Sequence, residues 1–225
     1  MFDKVFYEKA YKEIYEWYRQ KYADRNSYLI TDGIVDVENY AGILFLLKEA
    51  YVRERENGEW NLTQELAAYG PWGMWNHVAQ WTYGLFNTDK THIAPFVKLS
   101  KEERNAMLRK ISVVNLKKVN GVSSSATEDL LQYTTENAEI LRREVEHVQP
   151  RIIVCGGTFQ FLKMLYNIEI EQSNDNWYYW LDLGDRKNIL VLDYYHPAAR
   201  YPGLLAYYGL TNIYQQALLE NACQL

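Results

Sequence analysis

A carboxylate, an amide, a glycine pair and an imidazole each stand at the end of a short apolar run in this sequence of 225 residues. They are Glu49, Asn115, Gly156-Gly157 and His196. Side chains of these kinds, together with backbone N–H groups, are the polar groups that ligand sites and acid–base catalysis use. If the fold brings the four places together, the sequence predicts one polar cleft.

The apolar runs predict strands over 43–47, 111–115, 151–155 and 188–195, and the aromatic run WYYWLDL predicts another over 177–183. Helical patterns separate these runs, and such alternation is typical of an α/β fold with a mainly parallel sheet. We therefore expect three layers, with helices on both faces of a central sheet. Ligands of open α/β sheets bind beyond the carboxyl ends of the strands. That rule predicts that the four polar places converge on one edge.

Apolar periodicity and capping signals predict the helices. Over 3–22 a tyrosine recurs every three or four residues, which predicts an amphipathic helix with a packed aromatic face. Ser100 and Glu103 form a capping box. The further helices are expected over 62–68, 71–86, 100–109, 135–148, 159–166 and from 203 onward. We expect a single domain over 1–225, with the first helix and its approach in 1–40 and a helical segment in 60–110.

Each polar group also has an explanation that involves no chemistry. Glu49 could be a solvated loop charge, Asn115 could satisfy its own turn, and His196 could be a loop histidine with a satisfied ring. Gly156-Gly157 could be only a tight turn between a strand and a helix. Their shared position at strand ends favours the functional interpretation.

The composition fits a globular protein in a reducing compartment. Apolar residues make up 48% of the chain and charged residues 24%. Cys155 and Cys223 are too few for a disulfide framework or a four-cysteine metal site, and no cofactor is predicted. The sequence has no apolar stretch of membrane-spanning length, and its charged start does not resemble a signal peptide. We expect a cytoplasmic protein.

The charge is unevenly distributed along the chain. The net charge of −5 opposes a protein whose whole surface binds nucleic acid. However, residues 98–118 contain seven basic and two acidic residues, whereas 167–185 contain five acidic residues and no basic ones. This pattern predicts either a basic face on an acidic body or an ordinary solvated helix surface.

Four segments of the chain resemble the motifs of the uracil-DNA glycosylase superfamily, in the same order. They read ILFLLKEAY at 43–51, ISVVNLKKVNG at 111–121, PRIIVCGGT at 150–158 and YYHPAARYP at 194–202. The resemblance extends over about 40–222. It implies a DNA partner and an enzyme that flips a uracil out of the helix and hydrolyses its N-glycosidic bond.

The resemblance also implies roles for individual residues. Asn115 would hold the edge of the base, His196 would donate a hydrogen bond to the uracil carbonyl that gains charge, and Glu49 would help the attacking water. The flipped base would lie on an aromatic ring, for which the candidates are Trp72, Trp75 and Tyr51. The candidate DNA contacts are Gly156, Gly157, Thr158, Arg200 and Tyr201. Lys117 is a further candidate DNA contact, to which the family pattern gives no role.

The first motif departs from the family pattern. Ala50 stands where the most active branch has an aspartate, Lys48 where a glycine is usual, and Tyr51 where a proline is usual. Three alternatives to a glycosylase therefore remain open. These are a catalytically silent nucleobase or nucleic-acid binding protein, a hydrolase of small nucleotides with phosphate held at 156–158, and an α/β protein without nucleobase chemistry.

Overall fold

The fold is seen in a computed structural model, which describes residues 3–23, 28–50, 58–119, 126–170 and 177–222. In these ranges the helices are α1 (Lys4–Tyr22), α2 (Leu62–Tyr69), α3 (Trp75–Asn87), α4 (Lys101–Leu108), α5 (Thr127–Glu136), α6 (Ala138–His147), α7 (Phe159–Tyr166) and α8 (Gly203–Ala222). The strands are β1 (Tyr28–Thr31), β2 (Gly33–Ile34), β3 (Ile43–Glu49), β4 (Gly58–Asn61), β5 (Ile111–Lys117), β6 (Ile152–Gly156), β7 (Tyr178–Leu183) and β8 (Arg186–Tyr194). None of the helices described is long and apolar enough to cross a membrane.

A six-stranded mixed sheet forms the centre of the fold. Its strand order is β2-β5-β3-β6-β8-β7, and β1 pairs with β4 in a separate two-stranded sheet. The four inner strands, β5, β3, β6 and β8, run parallel, whereas β2 and β7 are antiparallel to their neighbours. The predicted α/β fold with a mainly parallel sheet is confirmed.

Both faces of the central sheet are covered by apolar side chains. Phe45 and Leu47 of β3 pack in one cluster with side chains from α2, α3 and α8, whereas Leu44 and Leu46 pack in another with side chains from α6 and α7. Strands that are buried on both faces have continuous apolar runs rather than alternating ones. This is why β3 reads ILFLL, and the helices on both faces are compatible with three layers.

The N-terminal helix α1 buries its tyrosine face, as the sequence predicts. Asp3 caps its start by accepting a hydrogen bond from Phe6 N at 3.0 Å. Tyr15 and Tyr18 are 1% and 0% exposed, and Tyr22 stacks on Tyr133 of α5 with ring centroids 6.0 Å apart. The helix is therefore part of the core that surrounds the end of β5.

Several predicted boundaries are corrected by the structure. Strands β3 and β5 both run two residues further than predicted, because Glu49 and Lys117 still pair across the sheet. The helix expected over 135–148 is instead the end of α5 followed by α6. The helix expected over 71–86 begins only at Trp75, since Gly70 and Gly73 have φ of +79° and +49°, outside the helical region.

Candidate site at the carboxyl edge of the sheet

The carboxyl ends of the four parallel strands form the edge that carries the candidate site. Asn115 of β5 pairs with Leu47 of β3, and Gly156 of β6 pairs with Tyr194 of β8. His196 lies two residues beyond β8. Three strand spacings separate β5 from β8, which is about 14 Å at roughly 4.8 Å per spacing. Strands β3 and β6 lie between these two positions.

The amide of Asn115 is held in one orientation by a buried carboxylate. Its backbone N–H and its Nδ2 donate to Oδ2 of Asp32 at 2.8 Å and 2.9 Å. A carboxylate only accepts, so Nδ2 must face Asp32 and Oδ1 must face away. Oδ1 accepts no hydrogen bond from the described residues. It is also absent from the buried side-chain atoms that lack a partner, so it keeps some contact with solvent. Asn115 thus offers a free acceptor, although the residue is only 2% exposed.

The ring of His196 offers the complementary group, a donor with no partner in the part of the chain that the structure describes. Its Nδ1 accepts a hydrogen bond from Ala198 N at 3.2 Å, so the proton of the neutral ring lies on Nε2. Burial, together with the positive charge of Lys48, lowers the pKa of His196 to about 4. At neutral pH the ring is therefore uncharged and presents an Nε2–H.

The ammonium group of Lys48 lies close to this corner of the site. A Cβ placed on Gly157 would be 3.5 Å from Lys48 Cε, 3.9 Å from its Nζ and 4.0 Å from the backbone N of His196. The lysine that departs from the family pattern thus places a cation beside the imidazole. A cation here opposes protonation of His196 and favours negative charge on a nearby ligand.

We expect Lys48→Met to raise the pKa of His196 above about 4, because the positive charge that opposes the imidazolium is removed. Burial remains in the variant, so the pKa should stay below its ordinary value of about 6.5. An NMR titration of the imidazole carbons measures the change. Lys90→Met, at an exposed position, is the matched control and should leave the pKa unchanged. A pKa of His196 that is equal in both variants would contradict the placement of Lys48.

Glu49 is buried at the same edge and takes part in an ion pair. Its side chain is 3% exposed, and its Oε2 lies 3.6 Å from Nζ of Lys117, which also pairs with Asp129. Glu49 is therefore not a solvated loop charge. Lys117, a candidate DNA contact, has two carboxylate partners within the protein.

The 156–158 turn uses its polar groups within the fold. A Cβ on Gly156 would lie 2.6 Å from Leu47 Cδ2, so the close packing of β3 against β6 requires glycine there. The N–H of Gly157 donates to the carbonyl of Tyr194 at 2.7 Å. The hydroxyl of Thr158 donates to the carbonyl of Leu46 at 2.7 Å, and the residue is fully buried. These two groups are engaged with the protein rather than offered to a phosphate.

The loop after His196 is fastened to helix α3. The carbonyl of Pro197 accepts a hydrogen bond from Nδ1 of His77 at 2.8 Å. Beyond it, Arg200 is exposed, and Tyr201 is 51% exposed with its ring centroid 4.5 Å from that of Tyr195. These two candidate DNA contacts therefore lie at the surface, on a loop whose start is anchored.

An aromatic group that the sequence did not single out adjoins this loop. Trp177 is 41% exposed, and its ring lies 5.2 Å from Tyr195, which in turn contacts Tyr201. Antiparallel pairing of β7 with β8 brings Trp177 there, since its carbonyl accepts from Asp193 N at 2.9 Å. The signal in the sequence was only a strand rich in aromatic residues, so the partner strand could not be identified.

The three rings proposed for stacking have different positions. Trp72 is 39% exposed in the turn before α3. Trp75 is 4% exposed and belongs to the core cluster on that face of the sheet. Tyr51 lies outside the described residues. Of the two rings that are described, Trp72 is the one with surface available to a ligand.

A buried cluster of charges, also missed from the sequence, lies behind Asn115. The Nζ of Lys118 is 2.6 Å from Oδ1 of Asp32 and 2.9 Å from Oε2 of Glu144, and the lysine is fully buried. Burial alone would lower the pKa of Lys118, but the two carboxylates outweigh it and raise the pKa. Burial raises the pKa of Glu144 to about 8, although Lys118 opposes the shift. Glu144 therefore holds its proton more tightly than an ordinary glutamate, which reduces the negative charge buried beside Lys118.

The raised pKa of Glu144 predicts a pH dependence of stability. Between about pH 4.5 and 8 the folded protein holds a proton on Glu144 that the unfolded chain releases, so the free energy of unfolding should fall as the pH rises. His147, with a pKa lowered to about 4, has the opposite effect, but only below about pH 6.5. We expect Glu144→Gln to reduce the decline between pH 6.5 and 8, as measured by urea unfolding. If the free energy of unfolding of the variant declines equally, groups other than Glu144 cause the pH dependence.

The basic run over 98–118 does not form one face at the site. Lys118 is buried in the charge cluster. Arg109 and Lys110 precede β5, so they lie at the opposite, amino-terminal edge of the sheet. In the described ranges, no group of three or more histidine, cysteine, aspartate or glutamate residues is placed to hold a metal ion. The carboxyl edge offers organic donors and acceptors, together with Lys48 and Arg200.

Comparison with known proteins leaves the site to be interpreted from its own chemistry. No protein family model matches the chain, and no curated protein matches it in sequence. The functional assignment therefore depends on the groups that the carboxyl edge presents.

Proposed function

We propose that the protein is a DNA base-excision N-glycosylase with a uracil-DNA glycosylase-like fold, acting on uracil or a related damaged base. One observation carries the proposal. At the carboxyl edge of the sheet, Asn115 offers an acceptor and a neutral His196 offers a donor. Uracil carries the matching groups, because its ring N–H lies between two carbonyl oxygens.

The chemistry follows from the charge that develops on the base. As the N-glycosidic bond breaks, the leaving uracil takes the electron pair and its carbonyl oxygen becomes negative. The Nε2–H of His196 donates to that oxygen and stabilises its charge. The ring is neutral at pH 7, because its pKa is about 4. Lys48 adds a positive charge on the same side. The oxygen of a water molecule bonds to the sugar carbon, and the proton that the water releases neutralises the uracil anion.

Support for a nucleic-acid partner comes from exposed aromatic and basic side chains. Trp72 offers exposed ring surface for a flipped base, and base–aromatic stacking stabilises binding by about 1–3 kcal/mol per base. Arg200, Tyr201 and Trp177 lie at the surface around the anchored loop. A single strand, whose bases are already unstacked, costs less to bind here than a duplex.

A catalytically silent binding protein is the second candidate, and the environment of Glu49 favours it. That carboxylate is 3% exposed and paired with Lys117, so it has little contact with solvent from which to hold a water. The residue that follows it is Ala50, which has no polar side chain. In that case Asn115 and His196 would bind a base without hydrolysis.

The two candidates are separated by incubating excess protein with an oligonucleotide that contains one uracil, either single-stranded or paired, followed by alkali. A glycosylase leaves an abasic site, and the strand breaks at the uracil position. The same strand with thymine in place of uracil is the control. If neither form breaks above background, the glycosylase is excluded. If the protein nevertheless binds deoxyuridine, and Asn115→Ala abolishes that binding, the protein is a catalytically silent binding protein.

A further inference from the structure

The carboxylate of Asp32 is the centre of the hydrogen bonds behind the candidate site. Asp32 joins β1 to β2, is 1% exposed and accepts four hydrogen bonds with its two oxygens. Oδ1 accepts from Tyr15 Oη at 2.9 Å and from Lys118 Nζ at 2.6 Å. Oδ2 accepts from both the backbone N–H and the Nδ2 of Asn115. All four donors approach a group that can only accept.

From this geometry we propose that Asp32 is a positioning residue that sets the base specificity of the site by fixing the amide orientation of Asn115. An asparagine amide can turn by 180° and exchange its donor and acceptor. The turned amide would place Oδ1 against the Asp32 carboxylate, where two acceptors repel each other. Only one orientation remains, and it leaves Oδ1 rather than Nδ2 free of Asp32.

The fixed orientation selects between pyrimidines, given the proposed function. Uracil presents a ring N–H to an acceptor, whereas cytosine presents a bare ring nitrogen with a lone pair at the same place. A free amide could turn to fit either base. An amide held by Asp32 fits uracil and leaves cytosine with an unsatisfied acceptor, which should weaken cytosine binding about 10-fold to 100-fold.

Helix α1 belongs to the same arrangement through Tyr15. The Tyr15 hydroxyl donates to Asp32 Oδ1 and accepts from the backbone N–H of Asp32 at 2.8 Å. Lys118, held by Glu144 at 2.9 Å, keeps a positive charge beside the carboxylate. The Asp32 side chain is thus fixed from two sides before it contacts Asn115, and the tyrosine helix contributes to the site without reaching a ligand.

The first test is spectroscopic and needs no ligand. In the folded protein labelled with ¹⁵N-asparagine, one Nδ2 proton of Asn115, assigned by its loss in Asn115→Ala, should exchange slowly with solvent. A hydrogen bond to a buried carboxylate gives this protection. Fast exchange of both protons in the parent protein would overturn the proposal, whether or not any base binds.

The second test compares Asp32→Asn with Asp182→Asn, using deoxyuridine and deoxycytidine as probes in NMR titrations. The asparagine at 32 can accept or donate, so the Asn115 amide can turn, and the preference for deoxyuridine should fall at least 10-fold. Asp182→Asn makes the same change at an exposed carboxylate of β7, on the other side of the sheet from β5, and should keep the preference. An unchanged preference in folded Asp32→Asn would overturn the proposal.

The outcomes also separate this proposal from the proposed function. If the parent protein binds neither nucleoside but protects the Asn115 proton, the base-binding function fails while the fixed amide stands. Should Asp32→Asn fail to fold, the exchange measurement on the parent protein decides. A protected proton supports the fixed amide, and an unprotected one excludes it.

Discussion

Replacing His196 by alanine is expected to slow uracil release about 10²-fold to 10³-fold, the loss seen when one donor to a developing oxyanion is removed. The Nε2–H of this neutral ring meets an oxygen whose negative charge exists mainly in the transition state. Binding of the uracil strand should therefore change little, because the lost hydrogen bond is weak in the ground state. Single-turnover rates and binding constants on one uracil-containing strand measure both quantities.

Two variants serve as references for this result. His92→Ala removes an exposed imidazole on the loop after α3 and should change neither quantity. Asn115→Ala removes the acceptor that meets the base in both states, so its binding should weaken along with its rate. Equal losses of binding in the Asn115 and His196 variants, without a larger loss of rate in the latter, would contradict the role of His196.

The largest effect on stability is expected for Lys118→Met. The substitution leaves the buried Asp32 carboxylate without its positive partner at 2.6 Å, and breaking a buried ion pair in this way costs about 3–5 kcal/mol. The expected loss of stability exceeds that for a surface ion pair because both charged side chains are 0% exposed. Urea unfolding followed by circular dichroism gives the free energy of unfolding directly.

A surface lysine provides the comparison for this variant. Lys187 is 69% exposed and lies 3.2 Å from Asp182, so Lys187→Met should cost no more than about 1 kcal/mol. The double variant Lys118→Met/Asp32→Asn removes both charges and should recover part of the loss. If Lys118→Met were as stable as Lys187→Met, the buried charge cluster would not exist as described.

The central sheet could be predicted because its strands are buried on both faces. The runs that contain Phe45, Val113, Val154 and Leu192 are predominantly apolar, so each reads as a strand without knowledge of its neighbours. The ends of the strands could not be predicted in the same way. Glu49 and Lys117 look like loop residues in the sequence, but their pairing across β3 and β5 keeps them in the sheet.

The support behind the candidate site could not be predicted, since it depends on contacts between distant parts of the chain. Asp32 and Lys118 are 86 positions apart, and each alone reads as a solvated charge. Local signals also failed at Trp72, because two glycines with positive φ delay the start of α3. Residue types at strand ends were sufficient to select Asn115 and His196, but their donor and acceptor roles required their hydrogen-bond partners.

A crystal structure with a single strand that carries one non-hydrolysable uracil nucleotide tests most directly whether Asn115 and His196 bind the same base. We predict the ring N–H within about 3 Å of Asn115 Oδ1 and a uracil carbonyl oxygen within about 3 Å of His196 Nε2. The Nδ2 of Asn115 should still donate to Asp32. A base bound elsewhere, or one that contacts only one of the two side chains, would contradict the account.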